Sequence, residues 1–127
     1  MALPADLHFR LSVFGELKAS HTLEGHPIPH FHLWKIAVEL GVPHPLRSDR
    51  VLDLLHMQSV LDEILQPLKN AHLNDHAGFG LSPTCENLCI WIWEQWQNRL
   101  PDGPLSSITT VLCDLEGRPT GQASLGR

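Results

Sequence analysis

The run His30-Phe31-His32-Leu33-Trp34-Lys35-Ile36-Ala37-Val38-Glu39-Leu40 reads as two interleaved series. His30, His32, Trp34, Ile36, Val38 and Leu40 fall on one side of a period-two pattern. Phe31, Leu33, Lys35, Ala37 and Glu39 fall on the other. Successive side chains of a strand leave opposite faces, so the run predicts one long β-strand over residues 30–40. Its apolar face needs a covering layer and its edges need partner strands. The same face begins with two imidazoles.

The flanking sequence supplies both. Upstream, Leu7, Phe9, Leu11 and Val13 alternate with His8, Arg10 and Ser12, which predicts a strand continuing irregularly past Gly15 toward Leu17, Ala19 and His21. Between the two strands, Leu23-Glu24-Gly25-His26-Pro27-Ile28-Pro29 predicts a loop, because one glycine and two prolines interrupt the alternation. Gly41 to Asp49 predicts a second loop. Val60, Leu61, Ile64, Leu65 and Leu68 then lie on one helical stripe, with Pro67 placed to kink or end that helix. Ser82-Pro83 predicts the start of a second helix, a capping residue with proline at the first helical position, running to about Leu100.

The second helix carries Cys85, Leu88, Cys89, Ile92, Trp96 and Arg99 on one stripe, and Ile90, Trp91 and Trp93 elsewhere. Apolar residues on more than one side imply a subunit contact or a deeply covered helix. Pro101-Asp102-Gly103-Pro104 breaks the chain, Ser107 to Leu115 predicts a third strand, and Gln122 to Leu125 a short fourth. The order is ββααββ, an α+β class, in a single domain over residues 1–127.

Composition narrows the function. A net charge of −5 argues against a broad nucleic-acid footprint. No apolar run reaches the ~18–20 residues that span a bilayer, and Met1 to Asp6 lacks the pattern of a signal peptide. Three cysteines, Cys85, Cys89 and Cys113, form no Cys-x-x-Cys pair. The odd count without a secretory signal points to a reducing cytoplasm and to thiols acting as small buried apolar groups. Nine histidines in 127 residues stand out, since histidine is the usual proton carrier and metal ligand near neutral pH.

His30 and His32 leave the same face of their strand, ~6.5–7 Å apart along the chain, close enough to converge on one ion. His21, at the end of the preceding strand, is placed to be a third ligand. Three imidazoles leave one position open on a tetrahedral zinc ion, as catalytic sites require. By spacing alone, a His-x-His pair also reads as polar residues at an exposed strand start.

Further motifs share a pattern. Ala19-Ser20-His21-Thr22-Leu23 followed by His30-Phe31-His32-Leu33-Trp34 resembles the zinc motif of the 6-pyruvoyl-tetrahydropterin synthase and 6-carboxytetrahydropterin synthase family. Val51-Leu52-Asp53, Leu73-Asn74, Pro83-Thr84-Cys85-Glu86-Asn87-Leu88 and Trp91-Ile92-Trp93-Glu94 are similar to later family segments in the same order, so the likeness covers roughly residues 7–116. It implies the tunnelling fold: a four-stranded antiparallel sheet with two helices on one face, assembled as a hexamer from two trimers. It also implies Zn2+ held by His21, His30 and His32, and a lyase acting on the side chain of 7,8-dihydroneopterin triphosphate or a related pterin.

The chain departs from that pattern where the family keeps its base. The family's catalytic cysteine in the loop before His-x-His has no counterpart here, and its Asp-His pair aligns with Lys69 and Asn70. Phe31 and Leu33 replace a glycine and an asparagine. Glu24, His26 and His72 are the candidate substitutes for the base, with His26 also placed to fill the open metal position. Asp114 or Glu116, expected at the end of the third strand, are candidates to accept hydrogen bonds from the pterin's amino and ring N–H groups. Thr84 and Glu86 match the pocket-lining motif, although Thr84 also reads as a helix cap. The departures leave open a binding protein without turnover, or a zinc enzyme of changed reaction type such as an aldolase-like cleavage. His8, His44, His56 and His76 read as surface or packing residues.

Overall fold

The structure, a computed structural model, describes residue 4 and residues 6–43, 53–76, 79 and 82–127. His44, Val51 and Leu52 lie outside the described residues. Four strands, β1 (His8–Leu23), β2 (His26–Pro43), β3 (Leu105–Cys113) and β4 (Pro119–Gly126), form one antiparallel sheet in the order β1-β2-β3-β4. Two helices, α1 (Leu54–Leu65) and α2 (Cys85–Arg99), lie between β2 and β3 in sequence. α1 packs over β1, and α2 over β3 and β4.

The alternation in β2 decides which face is covered. Trp34, Ile36, Val38 and Leu40 are buried and pack with Val13, Leu17 and Ala19 of β1, with Leu61, Ile64 and Leu65 of α1, and with Leu88, Ile92 and Trp96 of α2. Gly15 sits beneath α1, and a Cβ there would lie 2.6 Å from Leu65 Cδ1. Only glycine lets the helix approach the strand this closely.

Several boundaries differ from the sequence reading. Residues 23–29 are not a loop: Leu23 pairs with His26 across a two-residue Glu24–Gly25 turn. Gly25 takes φ +83°, which a tight hairpin needs and glycine adopts freely. Pro27 and Pro29 are accommodated because β3 pairs with β2 only from Leu33 onward, leaving residues 26–32 along an edge where a missing N–H costs little. The prolines therefore marked an edge rather than a break.

α1 ends at Leu65 and Pro67 lies in a 3-10 turn, Gln66–Leu68, as its missing N–H requires. α2 begins at Cys85, not at Pro83: Thr84 is the cap, its hydroxyl accepting from Asn87 N at 3.2 Å. Ser82 instead offers its carbonyl to Asn87 Nδ2 at 2.6 Å. β3 stops at Cys113, so Asp114 and Glu116 belong to the β3–β4 turn rather than to the strand. β4 starts at Pro119, earlier than the alternation alone indicates.

The surplus apolar surface of α2 is largely covered within the chain. Trp91 is buried against His76 and Phe79, with ring centroids 5.3 and 5.7 Å away. Trp93 lies beneath the Arg127 guanidinium, 5.7 Å from the ring centre. Ile90 stays exposed.

The outer edge of β1 is covered piecemeal. Gln58 donates to Phe14 O and accepts from Phe14 N. Lys18 O and Ser20 N bond to Asn70 N and Ala71 O at 2.7 and 2.9 Å. Asn74 closes the series at Thr22. Among the described residues no helix is long and apolar enough to cross a membrane.

Candidate metal centre

The register of β1 and β2 places His21 directly opposite His30, and Ala19 opposite His32. Alternation then sends all three imidazoles to the helix-covered face, at the end of the sheet beyond the core. Ring centroids are 4.6 Å apart for His21–His30, 5.0 Å for His21–His32 and 4.7 Å for His30–His32. One ring nitrogen of each lies within 4.8 Å of the others, a span one ion can bridge. Trp34 forms an apolar floor 5.2 Å from His21, its own indole N–H donating to Ala19 O at 3.2 Å. His21 is buried, while His30 and His32 are half-buried and open toward solvent.

Each ring is oriented by a backbone carbonyl. His21 Nδ1 lies 2.8 Å from Pro83 O, His30 Nδ1 3.1 Å from Ile28 O, and His32 Nδ1 3.2 Å from Cys113 O. A carbonyl can only accept, so Nδ1 carries the proton in each ring and Nε2 keeps the lone pair. Among the described residues His21 Nε2 is buried and without a hydrogen-bond partner. A buried acceptor left unmatched is costly, and a metal ion at the convergence point would satisfy it. The residues present therefore fit a zinc ion: three neutral nitrogens, each held from behind as metal-ligating histidines usually are.

Burial favours the neutral rings. Desolvation lowers the pKa of His21 below its ordinary value, opposed by the Pro83 bond and reinforced by the charges of His30, His32 and His72. Desolvation likewise lowers that of His32, opposed by its bond to Cys113 and reinforced by His30. Unprotonated imidazole is the form a metal needs.

The candidate bases divide around this centre. His26 is exposed and shares a cavity of about 340 Å3 with His30, floored by Pro27 and Ile28. Glu24, exposed at the hairpin tip, lines an adjoining cavity of about 470 Å3 with Thr22, Asn74 and Ser82, which shares Gly25 and Pro27 with the first. His72 pairs with Ser20, its Nδ1 2.9 Å from Ser20 Oγ. Ser20 precedes His21 on a strand, so its side chain leaves the opposite face, and this bond draws the His72 ring toward that face.

The candidate pterin anchors sit in the β3–β4 turn. Asp114 Oδ1 accepts from Glu116 N and Arg118 N, both at 2.9 Å, and its Oδ2 accepts from Arg118 Nε at 2.7 Å. Arg118 Nη2 also lies 2.6 Å from Glu116. Thr84 caps α2, and Glu86 is exposed in its first turn, where its charge suits the helix N-terminus. The Cys89 and Cys113 thiols are buried and that of Cys85 is half-buried; all three are free.

Sequence reading passed over the groups that hold His21. A carbonyl leaves no mark in a sequence, so Pro83 O was invisible. Asn74 and Asn87 were visible only as parts of motifs, without a job attached.

A four-stranded antiparallel sheet with two helices on one face and a histidine cluster at its end defines a class, the tunnelling-fold proteins. The 6-pyruvoyl tetrahydropterin synthase family model matches residues 10–116. The chain belongs to that family. It is 26% identical over 83 residues to the dihydroneopterin monophosphate aldolase of Pyrococcus furiosus, covering 65% of this chain and 70% of that protein. Among solved structures, the 6-pyruvoyl tetrahydropterin synthase of Caenorhabditis elegans aligns with a TM-score of 0.74 at 17% identity, over 98% of this chain and 99% of that one. An uncharacterized protein of Wolinella succinogenes aligns with a TM-score of 0.66 at 15% identity, over 96% and 99%. These two likenesses concern the fold.

Proposed function

We propose that the protein is a zinc-dependent lyase acting on the side chain of 7,8-dihydroneopterin triphosphate or a related pterin. The observation that carries this reading is the convergence of His21, His30 and His32, with every Nδ1 held by a carbonyl and a buried Nε2 left without a partner. Zinc bound there would act as a Lewis acid, polarising a hydroxyl on the substrate side chain. The chain's part is to hold the ion, orient the pterin and move the proton.

Within this reading His26 is the favoured base or fourth ligand, because it shares a cavity with His30. Glu24, in the adjoining cavity, and His72, engaged with Ser20, take lesser places. Glu116 is favoured over Asp114 as the pterin anchor, because the Asp114 carboxylate already accepts three hydrogen bonds within its own turn. Thr84 and Glu86 keep their place as substrate-binding residues in this reading, on the strength of the motif they match. A hexamer of two trimers remains part of the proposal.

A second reading, carbon–carbon cleavage of the aldolase type, is favoured by the similarity to the P. furiosus aldolase. The composition of the hairpin favours it too. No cysteine lies between His21 and His30, so a reaction needing a thiol base there has none.

Metal analysis paired with turnover separates the readings. Purified protein is assayed for zinc, then for consumption of dihydroneopterin triphosphate and monophosphate. One zinc per chain with loss of triphosphate supports the first reading. A product shortened by carbon–carbon cleavage supports the second. Bound zinc and bound pterin without turnover of either ester would leave a binding protein, and absence of stoichiometric zinc overturns both enzymatic readings.

A further inference from the structure

Two asparagine amides bond the backbone beside the two groups that set His21, Thr22 next to it on β1 and Ser82 next to the carbonyl of Pro83. Asn74 Oδ1 accepts from Thr22 N at 2.8 Å, and Asn74 Nδ2 donates to Thr22 O at 2.9 Å. This pair of hydrogen bonds fixes the backbone of the residue after His21, where the β1–β2 register shifts. Asn87 Nδ2 donates to Ser82 O at 2.6 Å, while Asn87 N donates to Thr84 Oγ1 at 3.2 Å. Those two bonds bracket Pro83, whose carbonyl takes the His21 Nδ1 proton at 2.8 Å.

One amide thus holds the strand beneath His21, and the other holds the carbonyl behind its ring. The consequence is a fixed tautomer. With Nδ1–H committed to Pro83 O, the lone pair sits on the buried, unpartnered Nε2. A ring free to turn could carry that unmatched atom to a partner, and nothing in the apolar Trp34 floor prevents it; exchange of tautomers alone would leave a buried Nε2–H without an acceptor and set a lone pair against the Pro83 carbonyl. The restraint comes from behind.

We propose that Asn74 and Asn87 are positioning residues for His21, fixing its tautomer and aiming its Nε2 at the point where His30 and His32 converge. The ligand they serve is a divalent transition metal preferring nitrogen donors, so this inference rests on the metal reading above. Its first readout does not require a metal.

The test uses the full chain as wild type, Asn74→Asp and Asn87→Asp. Aspartate keeps size and acceptor oxygens but cannot donate to Thr22 O or Ser82 O. An acid is tolerated in the first turn of α2, so Asn87→Asp is expected to fold; if it does not, Asn74→Asp decides. On metal-free samples at one fixed pH, long-range ring 15N–1H correlations report the His21 tautomer. Zinc affinity is then measured on the same samples by chelator competition, with Gln58→Ala as a control that releases the β1 edge at Phe14, far along the strand.

The expected result is a single Nδ1–H tautomer with a slowly exchanging ring proton in the wild type. Either aspartate variant should give mixed tautomers and about 10–100-fold weaker zinc binding, the range for loss of an outer hydrogen-bond partner. Gln58→Ala should leave both readouts unchanged. An unaltered His21 tautomer in the aspartate variants overturns the proposal, as does an equal loss of zinc affinity in Gln58→Ala. A wild type that takes up no zinc refutes the metal reading, and the tautomer comparison still decides the positioning role.

Discussion

The His32 imidazole donates its Nδ1 proton to the backbone carbonyl of Cys113, 3.2 Å away, joining the metal-facing end of β2 to the last residue of β3. His30 is held by a carbonyl of its own strand, Ile28 O. The two rings are half-buried, so removing either should spare the core. His30→Ala and His32→Ala are each expected to lower zinc affinity by more than about 100-fold, beyond the loss an outer partner causes. Metal analysis after equilibrium dialysis checks this, and full occupancy in either variant would remove the site.

Acid should destabilise the metal-free protein in a defined window. His21 and His32 have native pKa values below the unfolded value near 6.5. Between the two values the unfolded chain binds more protons than the native one, so stability rises with pH there. The contribution is complete above about pH 6.5 and is lost as pH falls through the lowered values. Thermal melts of the apo protein from pH 7.5 to 5 should show Tm declining below 6.5, less so in a His21→Gln, His32→Gln double variant.

The two carboxylates of the β3–β4 turn should separate by role. Hydrogen bonds from Arg118 and Glu116 hold the Asp114 carboxyl below its ordinary pKa. Asp114→Asn is expected to lower Tm by loosening the turn. Glu116→Gln gives up only an exposed ion pair to Arg118, so Tm should shift little, while pterin binding weakens, seen as a raised Kd in a fluorescence titration. The reverse pattern would make Asp114 the anchor.

Cys85 opens α2, a position that usually lowers a thiol pKa. Here desolvation, helped by the charge of Glu86, pushes it up to about 11. Alkylation with iodoacetamide at pH 7.5 should therefore be at least ~100-fold slower than for a free cysteine of pKa ~8.5, read by mass spectrometry. Rapid labelling of Cys85 would contradict the desolvation of this half-buried thiol.

Gly15 provides a test of the packing. A methyl group there meets Leu65 Cδ1 at 2.6 Å and Leu61 Cδ2 at 3.1 Å. Gly15→Ala is expected to cost about 1–3 kcal/mol, the usual effect of overpacking a filled interior. Urea unfolding with an unchanged m-value would measure it.

The sequence by itself determined the element order and the covered face. Period-two alternation from His30 to Leu40 can bury Trp34, Ile36, Val38 and Leu40 together in only one way, and it carries His30 and His32 to the same side. The His-x-His spacing and the family motifs pointed to a metal centre before any coordinate did. Only the tertiary structure decided what local pattern cannot carry. Strand register put His21 opposite His30 and turned the proline-rich stretch into an edge hairpin. It also brought the carbonyls of Pro83 and Cys113 behind rings 62 and 81 residues away. Backbone carbonyls are the same at every position, so only folding can tell which of them will hold a histidine.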